Sequence, residues 1–238
     1  MQNILYKREI PINETIRIQI PTVGEILEHE EEYYDVVYTL TAMPADADMM
    51  VALDDIGVDF SAVDEYDLFL LLSESLKHKN VPLVLRGLDF AQLQTAVNQQ
   101  NGTLALVDAD GQVVIDRAIY GRIAETLRKI HHLEKNRRKP GNEEARQYMI
   151  ERARKKLKRR RVEESNSQLE GLIVALVNTE QFHYGFEGVL SLSIYQFNES
   201  VRQVIKKIDY DNRMHGIYAG TVNAKDLSQE DLNWMIHK

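Results

Sequence analysis

The residues best suited to chemistry in this sequence are basic, and they crowd into one short stretch. Positions 152 to 161 hold eight lysines and arginines in ten residues, R-A-R-K-K-L-K-R-R-R. At this density the side chains repel one another on a free helix, so an anion should lie nearby. Nucleic-acid phosphates, an acidic partner protein and the chain's own carboxylates are the candidate anions. A solvated connecting helix is the remaining interpretation.

The division of charge along the chain separates these candidates. Residues 1 to 127 hold 22 acidic and 8 basic side chains, residues 128 to 161 hold 4 and 15, and residues 162 to 238 hold 11 and 6. The first segment can therefore neutralise the second, within one molecule or between copies. A sequence pI near 5.4 disfavours a dedicated nucleic-acid binder. We expect a protein partner, with nucleic acid as the alternative.

The candidate partner-binding side chains form two groups. Those of the basic stretch are Arg152, Arg154, Lys155, Lys158 and Arg159. If that stretch is only a spacer, the contact surface belongs to the apolar C-terminal segment around Tyr218 and Trp234. Aromatic residues in that part of the chain could stack on bases, but their helical spacing favours a core. They are Phe182, Tyr184, Phe186, Tyr195, Phe197, Tyr218 and Trp234.

Catalytic chemistry has few possible sites in this chain. Without a cysteine there is no thiolate, disulfide or cysteine-ligated metal, and the G-x-S-x-G and phosphate-loop motifs do not occur. His131 and His132 are adjacent, and adjacent helical residues point about 100° apart, which disfavours a shared metal. The acidic runs at 30–32 and 54–55 are typical of solvated helix faces. We expect no enzyme, metal site or cofactor; turnover depending on His131, His183 or His215 would contradict this.

The elements that position these residues begin with strand and helix signals. Residues 15–20 alternate apolar and polar, which predicts a strand, and Thr22 with Glu25 matches a helix capping box. Helices are predicted at 47–56, 64–78 and 89–99, and a short edge strand at 81–85. Residues 104–107 and 113–115 flank a turn-rich pentapeptide and predict a hairpin. Asp108, Asp110 and Gly111 suggest a calcium loop, but the further ligands and the distal glutamate are missing.

The second half of the chain is predicted to be helical. An amphipathic helix at 117–133 is followed by a linker at 135–142 and by the basic helix at 143–162, whose apolar stripe, Ala145, Met149, Ala153 and Leu157, is thin. Capping boxes at Ser167 and Ser193 begin two more helices, and another helix through Met214 should end at Gly220. The expected fold is α+β and mainly α. It comprises an acidic domain (1–133), a basic linker and helix (134–166), and a helical C-terminal domain (167–238).

No run of eighteen uncharged apolar residues exists, and the first eleven residues lack an apolar core of signal-peptide length. We therefore expect neither a membrane partner nor classical secretion.

Several sequence segments give a family resemblance. The C-terminal part contains L-E-G-L-I-V-A-L-V-N, V-L-S-L-S-I-Y-Q-F-N-E-S-V, Y-D-N-R-M-H-G-I-Y-A-G-T-V-N-A-K-D-L and L-N-W-M, while I-P-T-V-G-E-I-L and Y-D-L-F-L-L-L occur earlier. This series resembles small tail-region proteins of contractile-tailed bacteriophages and prophages of Gram-positive hosts, a group similar to T-even-type baseplate hub and tail-assembly proteins. The resemblance covers about 80 C-terminal residues at the level of sequence segments, and most of the chain at the level of the order of predicted elements.

The resemblance implies a non-enzymatic protein of tail or baseplate assembly, either a minor structural component or a chaperone of the hub or tape measure. It implies other tail or baseplate proteins, or further copies of this chain, as partners. It places the protein in the host cytoplasm during assembly, with the virion tail as the alternative location. The positions it carries across are Tyr195, Tyr210, Gly216, Tyr218, Ala219, Gly220 and Trp234, and these could serve the fold alone.

Overall fold

The computed structural model describes residues 3–98, 102–163, 167–229 and 231–235. Within these residues the chain forms nine α-helices and six short strands. The helices are α1 Val23–Leu27, α2 Glu30–Thr41, α3 Ala47–Asp55, α4 Glu65–Leu76, α5 Arg117–His131, α6 Glu143–Glu163, α7 Gln168–Val177, α8 Phe186–Ser191 and α9 Ile194–Tyr218. The strands are β1 Glu9–Pro11, β2 Arg17–Gln19, β3 Leu85–Arg86, β4 Gln94–Val97, β5 Leu104–Val107 and β6 Val113–Ile115. The fold is α+β and mainly α, as the sequence predicts.

The first sheet is antiparallel in the order β1-β2-β3, with Ile18 opposite Ile10 on one side and Leu85 on the other. Alternation in the predicted strand is confirmed, because Ile16, Ile18 and Ile20 are all buried. The capping box that follows is present. The Thr22 hydroxyl accepts from the backbone of Glu25, whose carboxylate accepts from the Thr22 backbone.

Two predictions in the middle of the chain are wrong. Residues 81–85 form a 3₁₀ turn, Val81–Leu83, before β3 begins at Leu85. Pro82 explains this, since its fixed φ and missing N–H suit the first turn of a helix. The helix predicted at 89–99 is a 3₁₀ turn, Phe90–Gln92, followed by β4, which pairs with β5. Pairing with a neighbouring strand overrides the local helical pattern there.

The predicted hairpin is confirmed as β5 and β6, and β4 extends it to a second three-stranded sheet. Gly111 has φ +76°, a conformation that glycine adopts without a steric penalty. The Asp108 carboxylate accepts from the backbone N–H groups of Asp110 and Gln112, so it serves the turn itself. Across the described ranges, no three His, Asp or Glu side chains are grouped as metal ligands.

Helix α5 is the central element of the core. Ile123, Leu127 and Ile130, which lie on one face of this helix, are fully buried. The helix ends at His132, which adopts the left-handed conformation with φ 53°. The side chain of Asn198 in α9 donates to the backbone carbonyl of Ile130 over 3.1 Å. This contact joins α5 to the C-terminal helices.

The C-terminal part differs from its prediction in two ways. Residues 194–218 form one continuous helix, α9, rather than two, because its polar stretch contains no helix-breaking residue. It begins at the predicted capping box of Ser193 and Gln196 and is followed by Gly220 with φ +71°. At the start of α7 the Ser167 hydroxyl accepts from the backbone N–H of Glu170, as predicted. The carboxylate that contacts Ser167 is that of Glu30 in α2, which accepts from the Ser167 hydroxyl, and not that of Glu170 as in a capping box.

One hydrophobic core includes side chains from both sides of the basic helix. Residues between Ile4 and Ile130 share it with residues between Leu169 and Val204. Backbone bonds reinforce the union, as Val23 donates to Leu192 and Ile194 donates to Pro21, each over 2.9 Å. The boundaries predicted at 133 and 167 therefore do not separate two cores. Independent folding of residues 1–133 and 167–238 stays a prediction.

Candidate functional site

The basic helix α6 is docked on α3 through a small hydrophobic cluster of its own. Ile150, which is 2% exposed, and Ala153 are buried in this cluster with Met50 and Leu53 of α3. The predicted apolar stripe places one residue at every fourth position, so it drifts around the helix and omits Ile150. It therefore underestimates the apolar surface that α6 buries. The true buried side follows a spacing of three and four residues. Docking fixes which face of α6 is exposed.

Ion pairs strengthen this docking on the same side of α6. The Arg154 guanidinium donates to Asp54 over 2.8 Å and to Asp55 over 2.5 Å. These hydrogen bonds, that to Asp55 first, raise the pKa of Arg154 above its usual value. Arg146 lies 3.9 Å from Asp54. The acidic pair at 54–55, predicted to be solvated, thus binds a cation of its own chain. That cation, Arg154, is one of the five candidate partner-binding residues, so it is already paired within the chain.

Four other cations of α6 line the open side of the helix. Arg152, Lys155, Lys156 and Arg159 form no ion pair with any residue in the described part of the chain. They form one wall of a groove of about 1600 Å³, which we call the α6 groove. Lys158 is exposed but does not line it. The structure therefore brings together three of the five predicted cations and adds Lys156.

The rest of the α6 groove combines apolar and acidic side chains. Its apolar lining includes Tyr38 of α2, Met49 of α3, and Tyr148 and Leu157 of α6. Four carboxylates also line it, those of Asp35, Asp46, Asp48 and Glu134, together with the cations Lys79, Arg138 and Lys139. Asp35 pairs with Lys79 over 3.0 Å. Burial raises the pKa of Asp46, which accepts from the Met43 backbone. The groove thus has a cationic wall facing a mixed one.

A buried arginine stiffens one side of the groove. Arg128 of α5 is 5% exposed, and its Nη2 donates to the carbonyl of Thr41 over 2.7 Å. Its Nη1 lies 2.5 Å from Glu65 Oε1 without the alignment of a hydrogen bond. Lys135 meets the other oxygen of Glu65 at 3.1 Å. These contacts tie the start of the linker to α4.

The two adjacent histidines have separate partners. His131 Nε2 lies 3.0 Å from the hydroxyl of Tyr33, and burial lowers the pKa of His131 to about 4. His132 Nε2 lies 3.5 Å from Glu199 Oε1. Burial also lowers the pKa of His132. The neutral His131 ring therefore serves packing between helices.

The second candidate surface divides into a structural part and an exposed part. After α9 the chain turns back along the helix. Arg213 pairs with Asp231 at 3.0 Å, and Gln203 donates to the carbonyl of Trp234 over 3.1 Å. The Trp234 ring is half-buried and lies 5.7 Å from the Lys207 ammonium. Tyr218 is 80% exposed. Trp234 thus holds the return segment, whereas Tyr218 is free to contact a partner.

The other aromatic residues of this part divide similarly. Phe182 and Phe197 are buried, as the core interpretation predicts, and Tyr195 is partly buried. Tyr184 and Phe186 are exposed. Tyr184 lines a smaller cavity of about 540 Å³ together with Trp234 and others.

Sequence reasoning missed the non-basic walls of the α6 groove. Tyr38 and Asp46 lie about a hundred residues before α6, so their proximity depends on helix packing. A helical projection of α6 could have found Tyr148, which lies four residues before Arg152 on the same side.

The fold and these surfaces define an α+β protein with a charged groove and no metal-binding cluster in its described residues. No helix in the described ranges is long and apolar enough to cross a bilayer. A family model described as the YomV second domain matches residues 159–237, about a third of the chain. This family is phage-derived, of the SPbeta-like prophage type of Bacillus, and the match supports a phage protein. No curated protein and no solved structure matches the chain.

The matched segment begins at the end of α6 and includes α7 to α9 and the return segment. It includes Arg159 of the groove, as well as Tyr218 and Trp234.

Proposed function

We propose that this chain is a non-enzymatic phage protein that acts in tail or baseplate assembly by binding other tail or baseplate proteins. The proposal assigns it no catalytic residue and no cofactor, and places it in the host cytoplasm during assembly. The similarity to the phage-derived family and the resemblance of the C-terminal wording to tail proteins support the phage context. The observation that carries the contact mode is the row of four unpaired cations on the open side of α6.

The row suits a protein contact because its helix is already fixed in place. Ile150 and the Arg154 ion pairs hold α6 against α3, so the four cations share one orientation before any partner binds. Preorganised charges lose less entropy on binding, and opposite charge speeds and orients association. An acidic surface of another protein would also relieve their mutual repulsion.

Nucleic acid is the second candidate partner, through the basic helix 143–162. The same four cations favour it, since each phosphate neutralised releases condensed counterions. Four carboxylates in the α6 groove oppose it, because a phosphate backbone entering there would approach Asp46 and Asp48. We therefore rank the protein contact first.

The test is co-purification during phage production. The tagged chain is expressed in cells that produce the encoding phage, and mass spectrometry identifies its partners. We expect tail or baseplate proteins, lost when Arg152, Lys155, Lys156 and Arg159 are all changed to glutamate. Lys158→Glu is the matched control and should keep them, since Lys158 lies outside the groove.

Two results would contradict the proposal: enrichment of DNA with steep salt dependence in place of tail proteins, or full retention of the partners by the fourfold variant. Mass spectrometry of purified particles separates a virion component from a transient chaperone.

A further inference from the structure

We infer that the α6 groove binds an amphipathic helix of the partner protein, with apolar side chains facing the groove and carboxylates along the flank that meets α6. This inference rests on the proposed function and names the chemistry of the partner. It is carried by the size of the groove, the nature of its walls and the arrangement of its charges.

The size of the groove fits a protein segment. Its volume of about 1600 Å³ exceeds the roughly 300–1,000 Å³ typical of small-molecule sites. The lining part of α6 runs from Tyr148 to Arg159, which is about three turns or 16 Å of helix. A partner helix of about three turns matches that length.

The walls favour a helix over an extended peptide. Residues of α2, α3 and α6 line much of the groove, and the backbone donors and acceptors inside these helices are already bonded. An extended peptide would find few backbone partners there and would bury unpaired polar groups. A helix satisfies its own backbone and needs only side-chain contacts.

The apolar lining supplies those contacts. Tyr38, 52% exposed, and Tyr148, 64% exposed, come from different walls of the groove. Met49 and Leu157 are partly buried and line the same groove. Exposed tyrosines and adaptable methionines are the residues from which helix-binding grooves are commonly built. Neither tyrosine hydroxyl makes a hydrogen bond to a described residue.

The charges set the orientation of the bound helix. Arg152, Lys155 and Arg159 recur at three- and four-residue spacing on one wall, which matches carboxylates at the same spacing on a partner helix. The opposite wall is mixed, with Asp46 and Asp48 alongside Arg138 and Lys139, so it favours no single sign of charge. The flank of the partner helix that meets α6 is therefore the acidic one.

The experiment measures binding of three labelled synthetic peptides of about 18 residues to the full chain by fluorescence anisotropy. The first has leucines at helical spacing and glutamates on one flank. The second has the same composition in an order without that periodicity, and the third replaces the glutamates with glutamine. We expect the first to bind at least about tenfold more tightly than either control, with the difference from the third shrinking at high salt.

Variants of the chain locate the site. Tyr148→Ala should weaken the first peptide about five- to thirty-fold, because exposed anchor tyrosines carry large shares of binding energy. Tyr6→Ala, which removes a tyrosine that is 78% exposed and does not line the α6 groove, should leave binding unchanged. Circular dichroism checks that both variants are folded.

Three results would overturn the inference: equal binding of the ordered and shuffled peptides, no effect of Tyr148→Ala, or displacement of the first peptide by duplex DNA. These failures are distinct from failure of the proposed function. If the fourfold glutamate variant loses its tail partners while no peptide binds, the assembly role stands and the amphipathic-helix partner is wrong.

Discussion

Replacing Ile150 by alanine tests whether α6 is held by packing or by charge alone. Ile150 is 2% exposed and belongs to the cluster that joins α6 to α3. The linker before α6 has no regular secondary structure, and the main core does not include α6. A weaker α3–α6 contact should therefore release α6 locally, before the rest of the chain unfolds.

The magnitude follows from the atoms removed. Isoleucine to alanine deletes three carbon groups, each worth about 0.8 kcal/mol when buried, and leaves a cavity beside Met50 and Leu53. The expected loss is about 3 kcal/mol. It corresponds to an increase on the order of 10² in the population with α6 undocked.

Hydrogen exchange and limited trypsin digestion measure that population. In the native chain, first cuts should fall at Arg137 and Arg138, which are exposed in the linker. The basic residues of 152–159 should resist cleavage until α6 opens. In Ile150→Ala, cleavage there and exchange across α6 should accelerate by about two orders of magnitude.

Tyr148→Ala is the control, since this exposed neighbour on α6 is not part of the α3 cluster. If Ile150→Ala leaves cleavage and exchange unchanged while the chain stays folded, packing does not hold α6. If native α6 is cut as fast as the linker, α6 is undocked in solution and the groove argument falls with it.

Two further predictions concern stability. Burial lowers the pKa of His131 to about 4 from 6.5, so the folded chain favours the neutral ring. The contribution of this preference to the free energy of unfolding is complete above pH 6.5. It should fall by roughly 2 to 3 kcal/mol between pH 7 and pH 4.5, and His131→Gln should flatten a urea-denaturation profile over that window. Gly216→Ala should loosen the return segment after α9, since a Cβ there would lie 2.7 Å from Val222 Cγ2. The fluorescence of the single tryptophan should shift to the red, whereas Gly121→Ala, with open space around it, should stabilise α5 by about 0.5–1 kcal/mol and leave the tryptophan unchanged.

Local interactions account for what could be predicted from the sequence. The capping boxes at Thr22 and Ser193 and the turn at Gly111 join residues three or four apart, so the residue types nearly specify the geometry. The basic helix and the helix over 117–131 were also predicted from short-range patterns. The sequence of the C-terminal third predicts a phage protein, and the family match supports that prediction.

The tertiary structure alone decided which cations of α6 are free. Arg154 and Lys155 are neighbours of the same charge, yet one pairs with Asp54 and Asp55, a hundred residues earlier, while the other faces the groove. Tertiary packing also decided the pairing of β4 with β5. It likewise decided that Ile130 shares one core with residues between Leu169 and Val204. Sequence patterns record periodicity along one element, whereas these contacts depend on how separate elements pack. The sequence therefore determines how many charges α6 carries, whereas the docking of Ile150 on α3 determines which way those charged side chains face.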